Sequence, residues 1–128
     1  MLETALTPDL PPVIGDRIQL QQVLLNLLVN AAEAMRETQP ERRRVVVRSI
    51  MDRRDDGVWA VLAVQDAGVG FRELEEARLF EAFYTTKPNG LGMGLSISRS
   101  IIERHGGRLW GTANAERGAT FHVALPAG

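Results

Sequence analysis

The stretch DRIQLQQVLLNLLVNAAEAM, residues 16–35, carries the pattern that decides the fold. Its apolar residues recur at steps of three and four, which is the spacing of one face of an α-helix. Asp16 precedes the pattern as a candidate N-cap, and Gln19 follows three residues later in the capping-box position. The sequence therefore predicts a helix from about Asp16 to Glu37, which the segment around Pro40 ends.

The segments on either side of this helix predict a mixed sheet. The residues from Val58 to Val64 are apolar on both faces, which favours a central strand that is covered on both sides or has a partly hidden outer face. Helices that alternate with hairpins are typical of an α+β domain whose helices lie on one face of the sheet. The other predicted elements are an extended segment or edge strand in 8–14, a strand over 44–51 with a turn at Asp56-Gly57, a helix over 95–105 capped by Gly106, and strands over 108–114 and 119–125.

Size and composition limit what the chain can be. Its 128 residues and 45% hydrophobic content suit one domain with one core. Fifteen basic and sixteen acidic residues give a net charge of -1, which argues against a nucleic-acid or anionic-membrane partner. The chain has no cysteine, no visible signal peptide and no apolar run near the ~20 residues of a membrane span. These features favour a cytoplasmic domain, and they leave open whether a longer parent protein is anchored in a membrane.

The first helix carries a polar stripe on an otherwise apolar surface. Its members, at steps of three and four, are Gln19, Gln22, Asn26, Asn30, Glu33 and Glu37. One interpretation is a solvent-exposed face. The other is a ligand site, because each asparagine inside a helix costs roughly 0.6 kcal/mol relative to alanine. From the residues alone both interpretations stay open.

Asp66 follows the predicted central strand and begins the motif Asp66-Ala67-Gly68-Val69-Gly70. The motif is typical of a turn that an aspartate initiates and in which glycine supplies a positive φ. A functional interpretation places the carboxylate at the mouth of the core, where the glycines let a flat ligand approach the backbone. Because an ionised carboxylate only accepts hydrogen bonds, it would select a ligand edge that donates, such as the adenine amine.

A second glycine motif, Asn89-Gly90-Leu91-Gly92-Met93-Gly94, runs directly into the second predicted helix. Exposed backbone N–H groups and the helix N-terminus together suit a phosphate chain. The motif lacks the Gly-Lys-Ser/Thr ending of a P-loop, and a plain glycine hinge is the competing interpretation. Lys87, the single lysine of the chain, lies three residues upstream of Gly90 and could meet phosphate as a point charge.

The two histidines favour structural roles. His105 falls at the end of the second helix, where a helix terminus suits an imidazole ring, and His122 lies within the last strand. Neither joins a Ser-His-Asp or HExxH pattern.

The motifs become specific through their order along the chain. Together they resemble the N, G1, F and G2 boxes of the catalytic and ATP-binding domain of two-component sensor histidine kinases, a branch of the GHKL superfamily. The resemblance spans about residues 12–126, and it is strongest for kinases of the nitrogen-regulation and oxygen-sensing type. The four stretches that carry it are QVLLNLLVNAAEAM (22–35), DAGVG (66–70), LFEAFYTTK (79–87) and GLGMGL (90–95).

The resemblance implies a fold, a reaction and partners. The fold is the Bergerat two-layer α/β sandwich, with a mixed sheet, helices on one face and an ATP lid. The domain binds Mg²⁺ and ATP and donates the γ-phosphoryl group to a histidine on a separate dimerisation domain of the same kinase, which then serves a response regulator in a phosphorelay.

The resemblance also implies site residues. Asn30 holds Mg²⁺ with Asn26 assisting, so both are candidate catalytic residues, and Asp66 accepts from the adenine amine. Thr120 matches the threonine of the family beside the base. The remaining candidates for ATP binding are Gly68, Gly70, Lys87, Gly90, Gly92, Gly94 and Leu95.

Two departures from the family bear on the prediction. Ala82 stands where many relatives have proline in the F box, which bears on the geometry of the lid. No dimerisation domain precedes Pro8, so residues 8–128 are predicted to be the catalytic domain and residues 1–7 a tail or linker remnant.

Three functions compete with that of a histidine kinase. GHKL ATPases of the gyrase, MutL and Hsp90 type use a glutamate at the place of Asn26, and an amide cannot accept a proton from water. A serine-directed anti-sigma kinase is the second competing function, and a docking module that binds no nucleotide is the third.

Overall fold

The computed structural model describes residues 2–5, 15–36, 38–68, 94–114 and 117–127. Its strands form one five-stranded sheet in the order β1-β2-β3-β5-β4. Among the strands of these ranges, the β1–β2 pair is parallel and the other three pairs are antiparallel. The elements are β1 (Leu2–Ala5), α1 (Arg17–Ala34), a 3₁₀ turn (Pro40–Arg42), β2 (Val45–Arg54), β3 (Gly57–Asp66), α2 (Gly94–Arg104), β4 (Arg108–Ala113) and β5 (Ala119–Pro126).

The hydrophobic core lies between the sheet and the two helices. Val64 on β3 and Phe121 on β5 are register partners, and both are buried beneath Leu27 of α1 and Ile102 of α2. The predicted mixed sheet with helices on one face is therefore confirmed. No helix in these described ranges is long and apolar enough to cross a membrane.

Helix α1 begins as the sequence predicts and ends earlier. The Asp16 carboxylate accepts hydrogen bonds from the backbone N–H groups of Ile18 and Gln19, at 2.9 and 3.2 Å. The helix ends at Ala34, because Met35 turns into the core, where it is 4% exposed and its sulfur accepts from the Arg44 N–H. This tertiary contact is what shortens the predicted helix.

The N-terminal residues differ from the prediction. Leu2–Ala5, inside the predicted tail 1–7, forms a strand that pairs in parallel with β2. Four residues are too short to show a periodic pattern, and the strand exists because β2 offers it an edge of main-chain hydrogen bonds. The strand predicted within 8–14 lies outside the described residues. The predicted hairpin is confirmed, with its turn one residue earlier than expected: Asp55 and Asp56 form the turn, and Gly57, at φ 126°, begins β3.

His105 links the two helices. Its Nε2 accepts the backbone N–H of Asp16 at 3.1 Å, and its Nδ1 donates to the Ile101 carbonyl at 2.7 Å. Gly15 lies so close that a Cβ there would be 2.5 Å from the imidazole. Gly106 follows at φ 79° and ends α2 as predicted. His105 therefore has the predicted structural role, because both ring nitrogens hold backbone groups.

His122 lies on the face of the sheet opposite the helices. Its ring stacks on Trp110, with centroids 5.0 Å apart and planes 9° apart, and its Nε2 lies 3.1 Å from the Thr112 hydroxyl. Partial burial lowers the pKa of His122 below its usual value of 6.5. The neutral ring is thus the form that the fold accommodates at pH 7.

This lowered pKa predicts a pH dependence of stability. His122 binds a proton near pH 6.5 in the unfolded chain and only at lower pH in the folded chain. The free energy that the neutral ring contributes to folding is therefore fully present above pH 6.5 and is lost as the pH falls through the lower, folded-state pKa. Wild type should lose more melting temperature between pH 7.5 and pH 5 than His122→Gln, which keeps a polar group beside Thr112. Equal losses in calorimetric scans of the two proteins would contradict this expectation.

Candidate functional site

The candidate site is centred on Asp66, the last residue of the central strand β3. Its side chain is buried, with 3% exposure, on the same face of the sheet as the core. Oδ1 accepts the backbone N–H of Gly68 at 2.9 Å and that of Ala119 at 3.3 Å. The first of these bonds is the aspartate-initiated turn that the sequence predicts, although Gly68 does not adopt the positive φ expected of a glycine in that turn. The second bond joins the turn to β5, so the carboxylate is fixed by two elements.

Gly68 brings this turn against the end of α1. A Cβ on Gly68 would lie 2.3 Å from the Ala34 carbonyl oxygen, a distance that no side chain tolerates. The glycine is therefore needed for packing between the turn and the helix. Whether it also lets a ligand approach the backbone stays a prediction.

The polar stripe of α1 divides into two parts. Asn26 and Asn30 are half-buried, whereas Gln22 and Glu33 are exposed. The Asn26 amide donates to the Ser98 hydroxyl of α2 at 3.1 Å, and its oxygen accepts from Gln22 at 3.0 Å. The asparagines therefore do not lie on a plain solvent face, and Asn26 joins the two helices.

Thr120 lies on the other face of the sheet from Asp66. Side chains alternate along β5, so Phe121 faces the helices and Thr120 faces away from them. The Thr120 hydroxyl donates to Oδ1 of Asn114 at 2.6 Å. The geometry thus does not place this hydroxyl beside the Asp66 carboxylate, and the β5 group that meets the carboxylate is the Ala119 N–H.

Four of the residues predicted to bind ATP cannot be compared with the structure. Gly70, Lys87, Gly90 and Gly92, with the predicted ATP lid, lie outside the described residues. Of the same motif, Gly94 begins α2, and Leu95 packs against the core. The described ranges contain no group of three His, Cys, Asp or Glu residues that could hold a metal ion.

Three residues near the site were missed in the sequence. Ser98 is fully buried on α2, and its spacing of three from Leu95 and four from Ile102 places it on the helix face that packs. Asn114 and Arg117 flank the turn before β5 and contact the Asp66 turn. The helical spacing of Ser98 was a usable signal, whereas the other two contacts span nearly fifty residues and leave no local pattern.

The fold and the site define the class of this protein. It is a two-layer α/β sandwich domain, because both helices lie on one face of a mixed sheet. Its candidate site is a buried acid at the end of the central strand. The chain belongs to the family of histidine kinase-, DNA gyrase B- and HSP90-like ATPases, whose model matches residues 15–128.

Curated relatives include sensor proteins and a sensor histidine kinase. The chain is 49% identical over 126 residues to the sensor protein FixL of Bradyrhizobium diazoefficiens, covering 98% of this chain and 24% of that protein. It is 46% identical over 121 residues to the sensor protein TdiS of Thauera aromatica, covering 94% of this chain and 22% of that protein. The chain thus spans about a quarter of the length of these relatives.

Solved structures agree with this grouping. The mycobacterial sensor histidine kinase MprB superposes with a TM-score of 0.81 at 34% identity, covering 98% of this chain and 80% of that one. Full-length ShkA in complex with AMPPNP superposes with a TM-score of 0.77 at 30% identity, covering 98% of this chain and 25% of that one. The sandwich is therefore that of histidine kinase catalytic domains, as the motifs imply.

Proposed function

We propose that this chain binds ATP with Mg²⁺ and donates the γ-phosphoryl group to a histidine on a separate dimerisation domain. The observation that carries the proposal is the buried Asp66 carboxylate, which two backbone N–H groups hold at the end of β3. Membership of a family of kinases and ATPases supports the same conclusion.

Asp66 supplies the recognition of the base in this proposal. An ionised carboxylate has no proton to donate, so its partner on the ligand must be a donor. The exocyclic amine of adenine donates, whereas guanine and hypoxanthine carry a carbonyl oxygen at the same position. We therefore assign ATP as the nucleotide, in line with the AMPPNP that the ShkA structure holds.

Asn30 is our proposed Mg²⁺ ligand. Mg²⁺ prefers oxygen ligands and is commonly held by one or two protein groups together with substrate phosphates. Asn30 offers such a group, because its amide is half-buried on α1 one turn beyond Asn26. The bound ion neutralises charge on the phosphates. Phosphate contacts are assigned to Lys87, Gly90, Gly92, Gly94 and Leu95, and the base slot to Gly68 and Gly70.

The partners follow from the relatives. FixL and TdiS are about four times as long as this chain. Their additional length is enough for a histidine-bearing domain that accepts the phosphoryl group. We propose that this acceptor domain and a downstream response regulator are the partners and that the reaction takes place in the cytoplasm. A net charge of -1 supports neither a nucleic acid nor a direct membrane contact.

Phosphoryl transfer is favoured over hydrolysis. A GHKL ATPase needs a base to take a proton from water, and the corresponding position here holds Asn26. Its amide already donates to Ser98 and accepts from Gln22, so it positions helices and supplies no base.

The Mg²⁺ assignment predicts the behaviour of Asn30→Ala. The variant should bind ATP equally well with and without Mg²⁺, whereas Mg²⁺ should strengthen ATP binding to wild type. Its free energy of unfolding should stay within about 1 kcal/mol of wild type, because a partly exposed position outside the core is changed.

Calorimetric titrations of ATP with Mg²⁺ or EDTA test this, and Gln22→Ala is the matched control on the same face of α1. A large loss of melting temperature in Asn30→Ala would make the amide structural. Retention of the full Mg²⁺ effect would contradict its role as a ligand.

A further inference from the structure

We infer that Asn114 is a positioning residue, held by Thr120, that fixes Asp66 from the opposite side of the sheet and so sets the preference for adenine. The inference rests on the proposed function, since it assigns a supporting role around the carboxylate that recognises the base. Asn114 lies just after β4, and its amide reaches the backbone of Asp66 across 48 residues of sequence.

The contacts of Asn114 fix the orientation of its amide. Its Nδ2 donates to the Asp66 carbonyl at 2.9 Å and to the Arg117 carbonyl at 3.1 Å. A carbonyl oxygen only accepts, so the amide nitrogen must face both of them. The opposite orientation would place the amide oxygen of Asn114 against two other oxygens.

This orientation determines what Thr120 does. The oxygen of the Asn114 amide faces Thr120 at 2.6 Å and can only accept, so the single hydroxyl proton of Thr120 is donated to it. Thr120 therefore locks the amide in the orientation that holds Asp66. The hydroxyl of Thr120 thus acts through Asn114, which explains how a residue on the far face of the sheet can influence the site.

Two further contacts make the turn before β5 and the Asp66 turn a single unit. Arg117 donates through Nε to the Gly68 carbonyl at 3.0 Å. Gly118, at φ 89°, packs so tightly that a Cβ would lie 2.2 Å from the Asp66 carbonyl oxygen. The next residue, Ala119, supplies the N–H that holds the Asp66 carboxylate. Asn114 thus controls both the peptide of Asp66 and the segment that orients its carboxylate.

The consequence is a selective effect on base recognition. Groups that recognise a ligand must be held to within about 0.5 Å of their productive geometry by the residues around them. Loss of the Asn114 contacts should let the Asp66 carboxylate shift while the core, which lies towards Val64 and Phe121, stays packed. A shifted carboxylate weakens the bond to the adenine amine and leaves the phosphate contacts in place.

The test compares ATP with ITP, which carries a carbonyl oxygen in place of the adenine amine and keeps the triphosphate. In Asn114→Asp, a carboxylate oxygen replaces the amide nitrogen. This oxygen cannot donate, so it repels the carbonyl oxygens of Asp66 and Arg117 that accept from the amide in wild type. We expect the Kd for ATP to rise about tenfold and the Kd for ITP to stay near its wild-type value, so that the ATP preference falls about tenfold. Isothermal calorimetry on the folded chain measures both constants.

A second pair of variants carries the test if Asn114→Asp fails to fold. Thr120→Val removes the hydroxyl and should lower the ATP preference by a smaller factor, whereas Thr120→Ser should restore it. Thr112→Val is the matched control, because Thr112 is the register partner of Thr120 and its hydroxyl contacts His122. This control should keep the wild-type preference.

A merely structural role predicts a different result. Equal weakening of ATP and ITP, or no weakening of either in folded Asn114→Asp and Thr120→Val, would overturn the inference. If wild type itself binds ATP and ITP equally, the assignment of Asp66 fails instead. A wild type that prefers ATP, together with variants that keep this preference, would leave the proposed function intact and remove the role of Asn114 alone.

Discussion

Asp66→Asn is expected to weaken ATP binding by about 2 to 4 kcal/mol, roughly thirty- to several-hundred-fold. The backbone N–H groups of Gly68 and Ala119 need an acceptor, so they hold the amide oxygen of the variant in the place of Oδ1. The amide nitrogen then takes the place of the other carboxylate oxygen. A donor there faces the donating amine of adenine, which turns an attractive contact into a repulsive one.

The same substitution should abolish the preference for ATP. Wild type is expected to bind ATP more tightly than GTP or ITP, whereas Asp66→Asn should bind GTP and ITP at least as tightly as ATP, because its amide N–H can donate to their carbonyl oxygen. Calorimetry measures all three affinities. Asp52→Asn is a suitable control, because it removes the same charge from β2, where the carboxylate pairs with Arg54. A folded Asp66→Asn protein that binds ATP as well as wild type would contradict the assignment.

The isolated chain is expected neither to label itself nor to turn ATP over appreciably. For labelling, a histidine must come in line with the γ-phosphate. His105 lies at the far end of α2, about 16 Å along the helix from Gly94 at a rise of 1.5 Å per residue. Both of its ring nitrogens are hydrogen-bonded, and His122 stacks on Trp110 on the opposite face of the sheet.

For turnover, the chain has no base at the position of Asn26, and a missing general base typically costs a factor of about 10² to 10⁴. Mixing the chain with a separate dimerisation domain that carries the proposed acceptor histidine should produce acid-labile label on that domain. The labelling should be weak, because the effective concentration that a covalent tether gives is lost.

Radiolabelled ATP, with each fragment alone and then with both together, tests this expectation. The control is the acceptor domain with its histidine replaced by glutamine, which should stay unlabelled. Label on the isolated chain that disappears in His105→Ala or His122→Ala would contradict the structural role of that histidine. Rapid phosphate release by the isolated chain would favour an ATPase over a histidine kinase.

Several elements of this fold can be predicted from interactions between residues that are close together in the sequence. Asp16 caps α1 because its side chain reaches N–H groups two and three residues ahead, and Gly106 ends α2 because it adopts a positive φ. The apolar run from Val58 to Val64 predicts a central strand, and β3 lies between β2 and β5 with the helices over one face and half-buried side chains on the other. The position of Asp66 at its end is therefore determined by sequence alone.

Other features depend on contacts between distant residues. Strand β1 forms because β2 offers it an edge, and α1 stops at Ala34 because the buried Met35 meets Arg44. The pairing register of β5 decides that the Ala119 N–H meets the Asp66 carboxylate and that Thr120 faces the other way.

Local patterns predict both helices, the strands from β2 onwards, the family motifs and the candidate carboxylate, because helix spacing, strand alternation and turn chemistry act over a few residues. Which groups hold that carboxylate depends on the tertiary structure. Asn114 and Arg117 contact the Asp66 turn across nearly fifty residues, and those bonds exist only once the sheet has paired. Such hydrogen bonds depend on distances and angles in space, and the residues next to each partner in the sequence do not indicate them.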